Sequence, residues 1–224
     1  MKTPPAHLQN KRVLLSAAYL PPLQYMSKAL INGEIWIEDD ENYIKQTYRN
    51  RCIIAGPNGK EILTVPVERG SFHKVHIRDV RIDYDVPWQR LHLRALHTAY
   101  RSSPFYEYYI EELETIFRKK TRYLLDLDVM LLESLLQTIG IECRIRFTEK
   151  YVHEENETSY LDYRERIHPK KNREDPLFRH PVYHQVFDDR HGFLEGLSII
   201  DLLFNEGPDT AQILEKGIVF RTGT

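Results

Sequence analysis

Residues 38–51, E-D-D-E-N-Y-I-K-Q-T-Y-R-N-R, place Asp39, Asp40 and Glu41, just after Glu38, ahead of Lys45, Arg49 and Arg51. Tyr43, Tyr48, Asn42 and Asn50 lie between them. On a helix, Lys45 and Arg49 stand at i and i+4 and share a face. On a strand, Lys45, Arg49 and Arg51 alternate onto one face. Two cations held close repel unless an anion sits beside them. That anion is either a substrate phosphate or carboxylate, or the acidic run just upstream. Arginine grips such groups bidentately and lysine as a point charge, the combination phosphate sites use. His92, one helical turn from Trp88, titrates near neutrality and is the candidate general base for an amine or hydroxyl. Its bland alternative is a histidine hydrogen-bonded at a helix surface.

These residues need elements to hold them. Residues 13–19, V-L-L-S-A-A-Y, form a short apolar run, as expected of a strand buried on both faces. Pro21-Pro22 opens a helix over 22–31, with Pro22 at its first position; Leu23, Met26 and Leu30 mark its apolar face and Gly33 stops it. A second strand follows over 34–38. Strand, helix and strand in so few residues predict two parallel neighbours in one sheet. Ligands of such sheets bind beyond the carboxyl ends of the strands. That edge receives Tyr19, with Tyr25 nearby, and then Asp39 and the cations.

Beyond Arg51 the pattern predicts a hairpin turning at Asn58-Gly59, then an edge strand over 75–82. A helix is expected over 88–101 and a second one after Ser103-Pro104. A third spans 128–139, with Asp128 as N-cap and a core stripe of Val129, Leu132, Leu136 and Ile139. A strand follows over 141–147. Residues 149–189 turn polar and rich in His, Arg and Lys, and read as one long loop. Residues 154–175 should be its most mobile part, since few apolar groups offset an ordering cost of roughly 1–2 kcal/mol per residue. Ser198 to Asp201 reads as a capping-box start, and a final short helix closes the chain.

The fold class is therefore α/β: a small parallel or mixed sheet with a Rossmann-like start and a helical middle section. Residues 1–12 read as a flexible tail and 13–217 as a single domain. A net charge of −2 gives no global attraction to nucleic acid or anionic membrane, so any anion site is local. Cys52 and Cys143 read as free thiols in a reducing compartment. No run reaches the ~20 apolar residues of a bilayer span, and the N-terminus lacks an export segment, so a cytoplasmic location is expected. G-x-G-x-x-G, H-E-x-x-H, C-x-x-C and G-x-S-x-G are absent. His180 and His184 are separated by Pro181 and do not make a shared helical face, so neither metal nor cofactor is expected.

The order of motifs is itself informative. An apolar strand ends in Y-L-P-P-L-Q-Y, and D-D-E-N-Y-I-K-Q-T-Y-R-N-R follows. Then come a hairpin ending L-T-V-P-V, Trp88 and His92, Y-R-S-S-P-F-Y, and L-S-I-I-D-L-L-F-N-E-G-P. Together these resemble the WbqC-like family over about four fifths of the chain. The positions matching its recurrent motifs are Tyr19, Pro22, Tyr25, Asp39, Lys45, Arg49, Arg51, His92, Tyr100, Pro104 and Asp201. The resemblance implies a bacterial cytoplasmic protein tied to O-antigen and other surface polysaccharides. It implies a transferase on a nucleotide-activated amino sugar, including transfer of an amino acid such as glycine. The alternative is a non-catalytic binding or scaffolding protein that holds an anionic small molecule in the same pocket. Many family members carry a nucleotide-domain-like segment after the long helix. Here a polar loop over 160–170 stands in its place, and Arg164, Arg166, His168 and Lys170 form a candidate basic wall.

Overall fold

The computed structural model describes residues 11–68, 70, 74–153, 159–171 and 173–219. Most of the expected N-terminal tail and, within the polar loop, 154–158 and 172 lie outside these. The expectation of greatest mobility falls partly on them.

The opening unit is strand, helix, strand: β1 (Arg12–Leu15), α1 (Leu23–Asn32) and β2 (Glu34–Ile37). β1 and β2 are parallel, with Val13 opposite Ile35 and Leu15 opposite Ile37. β1 is shorter than its apolar run. After Leu15 the chain leaves the ladder, the Tyr19 N–H donates to the Tyr48 carbonyl (2.9 Å), and Leu20 turns at φ +42°. Residues 17–20 stay buried without being strand, so apolar character here marks burial and not the ladder. Pro22 is the N-cap of α1, one position before the place expected from sequence. Gly33 closes the helix in the left-handed region at φ +61°, its N–H donating to the Ala29 carbonyl.

A hairpin follows, β3 (Arg51–Gly56) and β4 (Gly59–Thr64), antiparallel with Gly56 opposite Gly59. It forms its own two-stranded sheet. Three helices make the middle section: α2 (Trp88–Tyr100), α3 (Tyr106–Arg118) and α4 (Leu124–Ile139). β5 (Arg144–Phe147) then pairs in parallel with the outer edge of β2, and β6 (Tyr160–Asp162) with the other edge of β1. The sheet order is β5-β2-β1-β6, all parallel, with β1 and β2 inside. α5 (Asp188–His191), α6 (Ile199–Glu206) and α7 (Thr210–Lys216) complete the described chain.

Three expectations need correction. The stretch 75–82 is not a strand: it holds a 3-10 turn, Ile77–Asp79, and isolated bridges, and Ile77 and Val80 bury fully without a ladder. α4 begins before Asp128, because Leu124, Leu125 and Leu127 extend its buried face. Asp128 is thus in the helix interior and almost fully buried, and neither carboxyl oxygen has a partner among the described residues. Burial pushes that carboxyl far above its ordinary value. Lastly, the polar stretch is not all loop, since it contains β6.

Elsewhere half of the capping box forms: the Ser198 hydroxyl accepts from the Ile200 N–H (3.5 Å), but the Ser198 N–H donates to the Ile53 carbonyl and not to Asp201. Asp201 accepts from the Tyr100 and Tyr183 hydroxyls, each at 2.8 Å, and burial raises its pKa to about 6. Cys52 and Cys143 are free thiols. Among the described residues no helix is long and apolar enough to cross a membrane.

Gly33 decides whether the βαβ unit can turn. A Cβ there would meet only the Glu142 carbonyl, at an ordinary contact distance of 3.8 Å, so the penalty of a side chain is conformational. Gly33→Ala should lower unfolding free energy by about 1–2 kcal/mol, measured by urea denaturation, with an unchanged circular dichroism spectrum.

Candidate functional site

All four strands of the parallel sheet deliver polar side chains just past their carboxyl ends. Ser16 follows β1, Glu38 and Glu41 follow β2, Thr148 and Tyr151 follow β5, and Arg164 follows β6. This is the edge at which open α/β sheets hold ligands.

Glu38 is completely buried. One carboxylate oxygen accepts from the Thr148 hydroxyl (2.6 Å) and the Asp40 N–H (3.2 Å). The other accepts from the Val152 N–H (2.8 Å) and Arg164 Nη1 (3.2 Å). Four donors satisfy the acceptor capacity of a buried carboxylate. Arg164 also binds Asp162 through Nε and Nη2, donates to the Val152 carbonyl (2.8 Å), and lies over the Tyr151 ring at 5.0 Å. Hydrogen bonds to Asp162 hold its guanidinium charged against the cost of burial. Beside this network, Arg49 clamps Glu41 from Nε (2.8 Å) and Nη2 (2.5 Å), and the Ser16 hydroxyl donates to Glu41 at 3.1 Å. Burial pushes the Glu41 carboxyl upward and Arg49 opposes it.

The residues nominated from sequence separate into different environments. Lys45 and Arg49 were expected on a common helix or strand face, but 45–46 is a turn and Arg49 sits in a 3-10 turn, Tyr48–Asn50. Lys45 is exposed, whereas Arg49 is buried and takes its anion from Glu41. Arg51 opens β3, half-buried, with no partner for Nε among the described residues. Asp39 is half-buried, and burial raises its carboxyl. The Tyr25 hydroxyl donates to the Ser16 carbonyl (3.1 Å). Tyr25, Arg49 and Arg164 border a void of about 10 Å³, room for roughly one water molecule.

Tyr19 and His92 belong to the core. Nδ1 of His92 accepts from the Tyr19 hydroxyl (2.8 Å), and Nε2–H donates to the Thr64 carbonyl (3.2 Å). Trp88 and Phe117 pack around the Tyr19 ring. With both ring nitrogens bonded and burial lowering its pKa to about 4, His92 is a neutral structural histidine and not an accessible base.

The substrate-sized opening at this edge is a cleft of about 350 Å³. Glu41, Asp162 and Glu165 line it together with Arg164, Arg166 and Arg173, and Asn42 and Tyr151 add neutral polar groups. Ser16, Glu38, Thr148 and Asp162 had not been singled out from sequence. For Ser16 and Glu38 the signal was a polar residue directly after a largely apolar strand, plainest in E-I-W-I-E; Thr148 and Asp162 gave none. Among the described residues no group of three or more His, Cys, Asp or Glu side chains is arranged to hold a metal ion.

Comparison with known proteins supports the family resemblance. A model described as the WbqC-like protein family matches residues 17–172. The uncharacterized protein Rv1507c of Mycobacterium tuberculosis (strain ATCC 25618 / H37Rv) is 27% identical over 229 residues. That alignment covers 92% of this chain and 97% of the relative. No solved structure matches the chain.

Two outcomes follow from the buried groups. Arg49→Met strands the Glu41 carboxylate and should cost on the order of 3–5 kcal/mol, whereas Arg49→Met with Glu41→Leu should recover much of it. Chemical denaturation of the three proteins checks both. His92 has a folded pKa below its unfolded value, so its neutral form favours folding above about pH 6.5 and that stability fades as pH falls toward 4. The advantage of wild type over His92→Gln should therefore shrink across this window, by on the order of 3 kcal/mol at most, in denaturation curves taken at successive pH values.

Proposed function

This chain belongs to the WbqC-like family, and from that premise we propose that it is a transferase acting on a nucleotide-activated amino sugar. It would work in the cytoplasm, in the assembly of surface polysaccharide. The observation that supports this reading is the mixed polarity of the carboxyl-edge cleft. Carboxylates and an amide suit the hydroxyl and amino groups of a sugar, and arginines suit an attached phosphate. In aminoacyl transfer the sugar amine attacks an activated carbonyl, an amide bond forms, and the activating group leaves with its electron pair. The proton lost by the amine needs an acceptor. Glu165, which lines the cleft and pairs with Lys171 through one carboxylate oxygen, takes that part in place of His92. Arg166 and Arg173 assume the anion contacts first assigned to Lys45, Arg49 and Arg51, while Arg49 and Tyr25 border the small void beside Arg164.

A second reading, a binding or scaffolding protein without turnover, is favoured by one fact. The histidine nominated as base is buried with both nitrogens bonded.

Titration calorimetry can separate the two. A uridine diphosphate amino sugar should bind about tenfold more tightly than the same nucleotide sugar with a hydroxyl replacing the amine, the gain of a charge-assisted contact. Incubation with an activated amino acid should then add the aminoacyl mass to the sugar. Binding with no mass change supports the scaffold, and equal affinity for the two sugars removes recognition of the amine.

A further inference from the structure

A second cleft, of about 260 Å³, adjoins the first and shares Arg166 and Arg173 with it. Its character differs. Lys60, Arg166, His168, Lys170, Lys171 and Arg173 line it, and Glu195 is the one carboxylate among the described lining residues. The chain as a whole carries a net charge of −2, so this concentration of positive charge is local. It is also assembled by folding and not by sequence alone: Lys60 comes from β4, and the other five follow β6.

The cationic stretch is tethered at both ends by buried contacts. Before it, the Tyr163 N–H continues the sheet by donating to the Leu14 carbonyl (2.9 Å). After it, Asp175 pairs with Lys28 of α1 at 2.6 Å and accepts from Gln24 Nε2 at 2.9 Å. Lys28 lies 4.5 Å from the centre of the Tyr163 ring, so one buried ammonium joins the two tethers. Within the stretch, Nδ1 of His168 accepts from the Lys170 and Lys171 N–H groups (3.0 and 3.2 Å). That leaves the ring proton on Nε2, as a neutral donor among cations. Lys171 also pairs with Glu165, and Lys170 donates to Gln46, which links this cleft to the carboxyl-edge groups.

We propose that this basic cleft is a diphosphate-binding site, holding the pyrophosphate group of a nucleotide-type ligand through Lys60, Arg166, Lys170, Lys171 and Arg173. Five cations held together against their repulsion call for an anion carrying several charges. Planar guanidinium groups and mobile ammonium groups together match phosphate oxygens. The proposal rests on the reading of the chain as a protein for nucleotide-activated sugars. It adds which cleft takes the phosphates, so that the sugar falls in the carboxyl-edge cleft through the shared arginines.

The test is calorimetric titration of the full chain, at low ionic strength, with inorganic pyrophosphate, inorganic phosphate, uridine diphosphate and a uridine diphosphate sugar. Pyrophosphate and uridine diphosphate should bind, monophosphate about tenfold more weakly, and all should weaken as salt is raised. The double variant Lys60→Gln, Arg173→Gln changes exposed side chains and should melt as wild type does, yet lose about tenfold or more in pyrophosphate affinity. Wild type that ignores pyrophosphate overturns the proposal, as does a variant that binds it unchanged. The two readings fail separately. Nucleotide-sugar binding that is indifferent to Lys60 and Arg173 sinks the diphosphate site alone. Pyrophosphate binding that depends on them, with no sugar bound or transferred, confirms the site and sinks the transferase.

Discussion

Burying the Glu38 carboxylate is the constraint on which this edge of the molecule depends. A carboxylate without water must find donors or take up a proton. Glu38 finds donors from three directions: the end of β5 through Thr148, the segment beyond it through Val152, and the end of β6 through Arg164. One residue at the end of an inner strand therefore fixes the chain that leaves both edge strands. Taking away any donor leaves a buried charge undersatisfied, so these contacts, with that of the Asp40 N–H, are retained together.

The same logic is applied twice more in places remote from this edge. The Lys28–Asp175 pair fastens the polar stretch to α1, with Tyr163 beneath the ammonium. The Asp201 carboxylate joins Tyr100 of α2 to Tyr183, and the Tyr100 hydroxyl in turn accepts the Ala55 N–H of β3. The separate hairpin is thus tied to the helices by a polar chain as well as by packing. Buried ionic groups seldom add net stability, but each has few satisfactory arrangements. They fix registry where apolar contacts would allow sliding. Asp128 is the exception. Its oxygens find no partner among the described residues, and burial favours its protonated form.

The parallel βαβ opening was legible because its signals are local: an apolar run, a proline pair and a glycine stop. So was the hairpin, through Asn58-Gly59. β6 was not, since three residues, Tyr-Leu-Asp, give no periodicity, and only the free edge of β1 makes them a strand. The candidate site was legible in composition and not in geometry. The stretch 38–51 does hold Glu38, Glu41 and Arg49, and the alternatives weighed for its anion included the acidic run, which is what the structure uses for Arg49. Lys45 and Arg49 share no helix or strand face because the chain turns between them, where a regular period was expected. The surroundings of His92 were hidden for a related reason. Its helix was foreseen, but the burial of its face depends on β4 and Tyr19, which lie far away in sequence.

Electrostatic saturation then explains where a ligand should go. At the carboxyl edge Arg49 and Arg164 already have carboxylate partners at hydrogen-bond distance. An incoming phosphate would have to displace Glu41, Glu38 or Asp162 from them, leaving that carboxylate buried or facing the phosphate. Toward the basic cleft the balance reverses, because five cations there share Glu195 and, through Lys171, Glu165. A multiply charged anion entering that side relieves repulsion instead of breaking a pair. Arg166 and Arg173, shared by the two clefts, mark the border between these regimes. A ligand with phosphates at one end and hydroxyl or amino groups at the other matches the order in which the two clefts change character.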